Sequence, residues 1–196
     1  MDGLGGGFVI GQPVICNFGT PQQQATVGKE CFLGNKRICL AISEAFAGSD
    51  VANIKTTAKK TADGKHYIVN GTKKWITSGY FADYFVTAVR TGGKGHGGIS
   101  LLLIERSAGV NTEKIKTSYS SSAGTAFITF DDVKVPVENL LHKENKGFEA
   151  IMYNCACLFH QITSHSVPFT LLCIFSDARS TCTLVGALPI RQSNTS

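Results

Sequence analysis

Between Ile38 and Pro136 the apolar residues recur in short runs bounded by Gly, Asn, Asp and Ser, a pattern of strands and turns and not of helices. The run Leu40-Ala41-Ile42 is apolar and passes into a small-residue loop, Ser43-Glu44-Ala45-Phe46-Ala47-Gly48-Ser49-Asp50. Tyr67-Ile68-Val69 and Lys73-Lys74-Trp75-Ile76 flank Asn70-Gly71. That dipeptide readily takes the positive φ angles of a type I′ turn, so the spacing predicts a β-hairpin closed there. Further strands are expected at Tyr84 to Val89, Ile99 to Ile104, Val110 to Ile115 and Ala126 to Val133, each rich in β-branched, aromatic or other apolar residues. Short strands at near-regular spacing predict an all-β sandwich or barrel.

The two ends read differently. Thr20 is placed to cap a helix with Pro21 at its first position, running from Gln22 to Leu33, although Ala25, Val27 and Phe32 make only a sparse apolar stripe. Glu144 to Met152 opens another helix, with Asn145 as the expected cap. From Cys155 onward only Asp177, Arg179 and Arg191 are charged and the apolar runs keep no period, so the helix is expected to stop there. These shifts divide the chain into a helical segment 1–36, a β segment 37–143, a helix start 144–154 and a tail 155–196 expected to be poorly ordered.

Composition narrows the classes. Of 196 residues, 43% are hydrophobic and 17% charged, enough apolar material for a buried core. Nineteen Lys and Arg against fourteen Asp and Glu give a net charge of +5, and the basic residues lie scattered among acidic ones. Without a basic stripe or arm, nucleic-acid binding is not expected, while an anionic small molecule is compatible. The start, Met1-Asp2-Gly3-Leu4-Gly5-Gly6-Gly7, lacks the basic and apolar regions of a signal peptide and the Arg and Ser bias of a transit peptide. The apolar stretch Val167 to Phe175 is interrupted by Pro168 and Thr170 and is too short to span a bilayer. Seven irregularly spaced cysteines imply reduced thiols. A soluble, intracellular protein is therefore expected, with nothing to choose between mitochondrial and cytoplasmic settings.

Two motifs are decoys. Gly93-Lys94-Gly95-His96-Gly97-Gly98 fits G-x-G-x-x-G, but it joins one expected strand to another with no helix to present a positive dipole end, so it is read as a hairpin loop. Cys155, Cys157, His160 and His165 have neither C-x-x-C spacing nor a second ligand pair, and no metal site is expected.

The candidate chemistry lies in two segments. Trp75, the only tryptophan, followed by Ile76 and Thr77, offers a large flat ring beside a hydroxyl, and the Gly48-Ser49 loop offers close backbone approach and a hydroxyl for a phosphate. Taken singly, a tryptophan in a strand is ordinary core and Ala-Gly-Ser-Asp an ordinary turn.

Ala41-Ile42-Ser43-Glu44-Ala45-Phe46-Ala47-Gly48-Ser49-Asp50-Val51, then Asn70-Gly71-Thr72-Lys73-Lys74-Trp75-Ile76-Thr77-Ser78-Gly79, then Ala82-Asp83-Tyr84-Phe85, resemble the middle-domain signatures of the acyl-CoA dehydrogenase family in the family's order. Phe130-Asp131-Asp132-Val133-Lys134-Val135-Pro136 and Lys146-Gly147-Phe148 resemble later landmarks, so the likeness runs from about Gly3 to Asn154. It implies a mainly β fold, the family's middle-domain β-barrel, with short helical remnants at both ends. It also implies FAD as cofactor, α,β-dehydrogenation of an acyl-CoA, an electron-transfer flavoprotein as electron acceptor, and assembly as a homo-oligomer. By the same resemblance Trp75 packs on the isoalloxazine, with Ile76 beside it and the Thr77 hydroxyl and backbone near the flavin N5. Ser43, where the family usually has Thr, reaches the flavin's polar edge, and Leu40 and Ile42 give backbone and apolar contact. Gly48 and Ser49 hold the FAD pyrophosphate, and Ser49 also serves the acyl-CoA arm.

Departures from the family bear on activity. Ala45 and Phe46 replace a Pro-containing pair, and Ser118 to Thr125 is blander than the version usual there. The family's general base is a glutamate of a C-terminal helical domain, and no residue here matches it, so no catalytic residue is assigned and weak or no activity is expected. A non-catalytic β-barrel module without flavin and an acyl-CoA oxidase fragment remain the alternatives. The loss of pattern at Cys155 leads to the expectation that the tail is intron read-through. Transcript sequencing across the codons for Tyr153 to His160 tests this: a message lacking the tail is expected, and one encoding it in full excludes the idea.

Overall fold

The structure, a computed structural model, describes residues 6–118 and 120–163. A π-helical turn (Gly6–Gly11) leads into α1 (Gln12–Phe18), and a second helical rod is assembled from Pro21–Gln23, a π-helical Gln24–Gly28 and Lys29–Phe32. The expected cap forms as a reciprocal pair: the Gln23 backbone N–H donates to Thr20 Oγ1 at 3.2 Å, and the Thr20 N–H donates to Gln23 Oε1 at 2.8 Å.

Eight strands follow in one mixed sheet: β1 (Ile38–Ala41), β2 (Thr57–Lys60), β3 (His66–Ile76), β4 (Tyr84–Arg90), β5 (Ile99–Glu105), β6 (Val110–Lys114), β7 (Ala126–Pro136) and β8 (Leu140–Leu141). The order is β6-β7-β3-β2-β4-β5-β8, with β1 also on β4. On one edge β4 pairs antiparallel with β5. On the other it pairs in parallel with β1, from Ile38↔Tyr84 to Ala41↔Thr87, and then with β2 at the single position Thr57↔Arg90. The sheet is thus two half-sheets, β1-β4-β5-β8 and β2-β3-β7-β6, meeting along a narrow seam. Where β2 and β4 diverge, a cleft of about 510 Å³ opens, lined by Thr57, Lys59, Lys60, Arg90, Thr91 and Glu144 among others.

The core lies on both faces. Cys39, Tyr67, Val69, Phe85, Val89, Leu102, Ile104, Ile128 and Phe130 fill the inside of the curled sheet. Val86, Ala88, Ile99, Leu101 and Leu103 point the other way, against Val14 and Ile15 of α1 and Ala150 and Ile151 of the C-terminal helix. Strands buried on both faces carry unbroken apolar runs, which is why Ile99 to Ile104 shows no polar alternation. The four strands expected from Tyr84 to Val133 all form, and Gly93 to Gly98 joins β4 to antiparallel β5 as a loop.

The predicted hairpin at Asn70-Gly71 does not form. Strand β3 runs unbroken through it, and β2 turns into β3 at residues 61–66, where Gly64 has φ +68° and the Thr61 N–H donates to the His66 carbonyl at 2.9 Å. Asn70-Gly71 instead marks a bulge, where the β3–β7 register slips between Val69↔Val133 and Gly71↔Phe130. The Asn70 side chain occupies the bulge. Its amide donates to Asp132 Oδ1 at 2.8 Å, and its oxygen accepts from the Asp132 N–H at 2.9 Å. Gly71 has φ +144°, and a Cβ there would lie 2.6 Å from Thr56 Cα, so the glycine serves a close backbone approach.

The C-terminal helix α2 (Gly147–Thr163) does not stop at Cys155. Loss of charge is no stop signal, and no Gly or Pro occurs between Cys155 and Thr163. Nor is Asn145 its cap. Asn145 has φ +62°, its N–H donates to Ser100 Oγ at 2.7 Å and its Oδ1 accepts from Thr91 Oγ1 at 2.8 Å, tying the helix approach to the β4–β5 connection. The tail after Thr163, with His165 of the metal decoy, lies outside the described residues. Replacing Gly71→Ala forces a Cβ onto the Thr56 backbone at an unfavourable φ, and is expected to lower the unfolding free energy by roughly 2–3 kcal/mol in urea titrations.

Candidate functional site

The two segments singled out from the sequence are neighbours across the seam. The Lys74 N–H, one residue before Trp75, donates to the Ser43 carbonyl at 2.9 Å. Ser43 is the second residue after β1, and Trp75 lies near the end of β3, so each half-sheet contributes one segment.

Under that contact lies a buried ion pair. Lys73 is fully buried and Glu44 is 8% exposed, with Nζ 2.9 Å from Oε1. Glu44 Oε1 also accepts from the Thr56 N–H at 2.9 Å and Thr56 Oγ1 at 2.7 Å, and Oε2 accepts from the Lys55 N–H at 2.7 Å. Lys73 Nζ donates in addition to the Ile42 carbonyl at 2.9 Å. Burial by itself pushes the Glu44 carboxyl up, but the Lys73 ammonium and the hydrogen bonds from Thr56 and Lys55 outweigh it and hold the group below its ordinary value. Burial pulls Lys73 down to about 8, against the pull of Glu44 in the other direction. Glu44 is therefore an ionised, saturated structural carboxylate and no proton acceptor. Glu149 is exposed and paired with Lys146 at 2.6 Å.

Trp75 has φ +66°, and the β3–β7 register breaks again between Lys73 and Ile76. A bulky residue in the left-handed region is strained, and here the strain turns the indole outward, 55% exposed, with Lys74 Nζ 4.9 Å from the ring centroid. The bulge fixes the neighbours in opposite senses. Ile76 is buried in the inner core and offers only backbone to a ligand, whereas Thr77 is exposed. Ser78 and Tyr80 continue the wall, their N–H groups donating to the Ala123 and Gly124 carbonyls at 2.8 and 3.1 Å.

On the other side, Leu40 and Ile42 pack half-buried against the outer core, and Ser43 is half-buried. Glu44 and Ala47 close a two-residue turn that carries Phe46, 88% exposed, at its tip. Gly48 and Ser49 are exposed, and the space a Cβ on Gly48 would enter is open to 4 Å. The turn after them is clamped by Arg90. Its Nη2 and Nε donate to the Ala52 and Ile54 carbonyls at 2.6 and 3.0 Å, and its Nη1 donates to Gly93 and Gly95 at 2.6 and 3.0 Å. The structure thus brings Ser43 and Trp75 together on one exposed wall and sets Gly48-Ser49 on the loop that leaves it. Sequence reasoning missed Lys73, Thr56 and Arg90. A single-strand reading through Asn70-Gly71 would have flagged Lys73, since inward alternation then places a lysine in the core. Among the described residues no three His, Cys, Asp or Glu side chains converge on a metal position, and no helix is long and apolar enough to cross a membrane.

The curled mixed sheet that carries this wall is the middle-domain barrel of a known enzyme family, as comparison with known proteins shows. Residues 39–133 match the family model for the acyl-CoA dehydrogenase middle domain, and the chain belongs to the acyl-CoA dehydrogenase family. It is 50% identical over 153 residues to the acyl-CoA dehydrogenase apdG of Emericella nidulans, which covers 77% of this chain and 35% of that protein. Among solved structures, a probable acyl-CoA dehydrogenase of Mycobacterium abscessus superposes with a TM-score of 0.74 at 38% identity, covering 79% of this chain and 41% of that one. An acyl-CoA dehydrogenase of Bacillus anthracis, complexed with FAD, gives 0.73 at 33% identity, with 80% and 27% covered. The chain spans about a third of the length of the curated relatives it matches.

Glu44→Ala leaves the Lys73 ammonium buried without its carboxylate, and is expected to cost about 3 kcal/mol of unfolding free energy. The E44Q/K73M double variant, which removes both charges, should recover at least half of that loss. A carboxyl held low stabilises above its unfolded value and loses that contribution as pH falls through the folded value. Wild type should therefore lose more stability than E44Q on acidification below the ordinary carboxylate range, as read by urea midpoints.

Proposed function

We propose that this chain is the flavin-holding part of an FAD-dependent acyl-CoA dehydrogenase, comprising a helical segment (1–36), the middle barrel (37–143) and, from 144, the start of a C-terminal helical domain whose first helix runs to Thr163. The observation that carries this reading is the exposed Trp75 ring on the residue next to Lys74, whose backbone N–H is bonded to the Ser43 carbonyl. The residues suit the cofactor. An exposed indole offers an apolar face for a planar ring system, and its neighbour Thr77 offers a hydroxyl. Ser43 and the backbone of Leu40, Ile42 and Ile76 would hold the ring system, and the open space at Gly48 would admit a pyrophosphate beside the Ser49 hydroxyl and amide. Ser49 also serves the phosphate arm of an acyl-CoA.

Bound there, FAD supplies the hydride acceptor for α,β-dehydrogenation of an acyl-CoA thioester. The chain's own residues orient it and keep water from one face. No base is assigned to them: among the described residues Glu44 is saturated and Glu149 is engaged with Lys146, so neither is placed to take the substrate α-proton. An electron-transfer flavoprotein as electron acceptor and a homo-oligomer belong to the same proposal.

Titrating the purified chain with FAD is expected to perturb the flavin absorbance and quench Trp75 emission, with Trp75→Ala weakening binding about tenfold or more. Absence of both changes would favour a barrel module without flavin. Acyl-CoA with an artificial electron acceptor should give no measurable turnover, and brisk turnover would overturn the assignment of an absent base.

A further inference from the structure

Ser43 is held from both sides by the two residues that precede Trp75. Lys73 Nζ donates to the carbonyl of Ile42, immediately before Ser43, and to the carboxylate of Glu44, immediately after it. The Lys74 N–H donates to the carbonyl of Ser43 itself. Trp75 follows directly, in a strained backbone conformation at a bulge where the β3–β7 ladder is interrupted. The ladder that would otherwise set the ring's position is thus broken at Trp75, and the bonds from residues 73 and 74 to the opposite half-sheet take its place.

We propose that Glu44 and Lys73 form a positioning pair, whose ion pair and bond to the Ile42 carbonyl set where the Trp75 ring stands relative to Ser43 and thereby align the planar cofactor between them. The alignment of a cofactor rests on the flavin reading above; the setting of Trp75 does not. A buried ion pair is a poor source of stability, since apolar residues of similar volume often do as well. An ammonium adds what they lack: donors directed at two oxygens that bracket one residue. Neither group touches the reacting atoms in this role, so both are positioning residues.

The charged groups facing Lys73 are Glu44 from the turn after β1 and Arg90 from β4. Burial, with the like charge of Arg90 adding to it, pulls the Lys73 ammonium down to about 8, while Glu44 opposes the shift. A lysine so lowered is neutral in the folded protein between about 8 and its ordinary value of 10.5, while the unfolded chain keeps the proton. In that window the unfolded state binds more protons, so the Lys73 contribution to stability rises with pH. A change at Trp75 near pH 8 therefore reports local movement and not unfolding.

The test follows Trp75 emission and its quenching by acrylamide in the 196-residue chain from pH 6 to 10, with far-UV circular dichroism as the control for folding. Wild type should show a transition centred near pH 8. Glu44→Gln, which removes the opposing charge, should move it down by about one pH unit or more, and Lys73→Met should abolish it. Lys74→Met should retain it, which excludes the amine lying over the ring. FAD affinity should fall about tenfold or more in K73M that keeps the wild-type circular dichroism spectrum. If K73M does not fold, E44Q and Lys73→Arg carry the test, because the guanidinium stays charged throughout and should also remove the transition. A transition that persists in K73M or K73R, or that stays unmoved in E44Q, overturns the pair as the device that sets Trp75. If wild type shows the transition but binds no FAD, the flavin reading falls while the setting of Trp75 stands.

Discussion

One carboxylate closes the seam of this barrel. Glu44 follows β1, Thr56 and Lys55 precede β2, and Lys73 lies on β3, so the four hydrogen bonds that Glu44 accepts gather chain from both half-sheets around a single side chain. Few strand hydrogen bonds span the same gap, and a low-dielectric interior strengthens each bond while making any unpaired partner costly. The loop from Ser43 to Asp50 needs this anchor. It carries small residues and an exposed Phe46, which by themselves fix little.

The wall built on that anchor is exposed in a way an ordinary core would not permit. Trp75 shows 55% of its surface and Phe46 88%, with Tyr80 and Phe81 also open. Large aromatic side chains left in water at one edge of a well-packed sheet mark a surface made to be covered. The relatives are about three times longer than the part matched here.

Much of the fold was legible. Strands β4 and β5 announced themselves because both their faces are buried, and burial on two faces writes an apolar run that no turn interrupts. The Thr20 cap was legible for a similarly local reason, two side chains satisfying each other within one turn. What failed was non-local. Asn70-Gly71 carries the composition of a hairpin, yet Thr56, just before β2, decides its conformation by lying where a Cβ would sit. That error hid Lys73, whose inward position only makes sense within one continuous strand. At the other end, the change of composition at Cys155 suggests the end of a helix but contains no residue that breaks one. Of the site residues, Trp75, Thr77, Gly48 and Ser49 lie exposed on the surface, while Ile76 turned inward because the bulge at Trp75 reverses the expected alternation.

The single strand pairing between β2 and β4 shifts the joining of the two halves from backbone to side chains. Only Thr57↔Arg90 joins those strands, and Arg90, reaching four carbonyls on two loops, is the clasp that keeps the cleft beside it from widening. Parting β2 from β4 would leave the pairings within each half intact, but it would break the bonds from Lys55, Thr56 and Lys73 to Glu44 and divide the inner core that both halves share. The barrel is thus a pair of leaves joined less by strand pairing than by side chains and a common core, with the ring-bearing wall straddling the line between them.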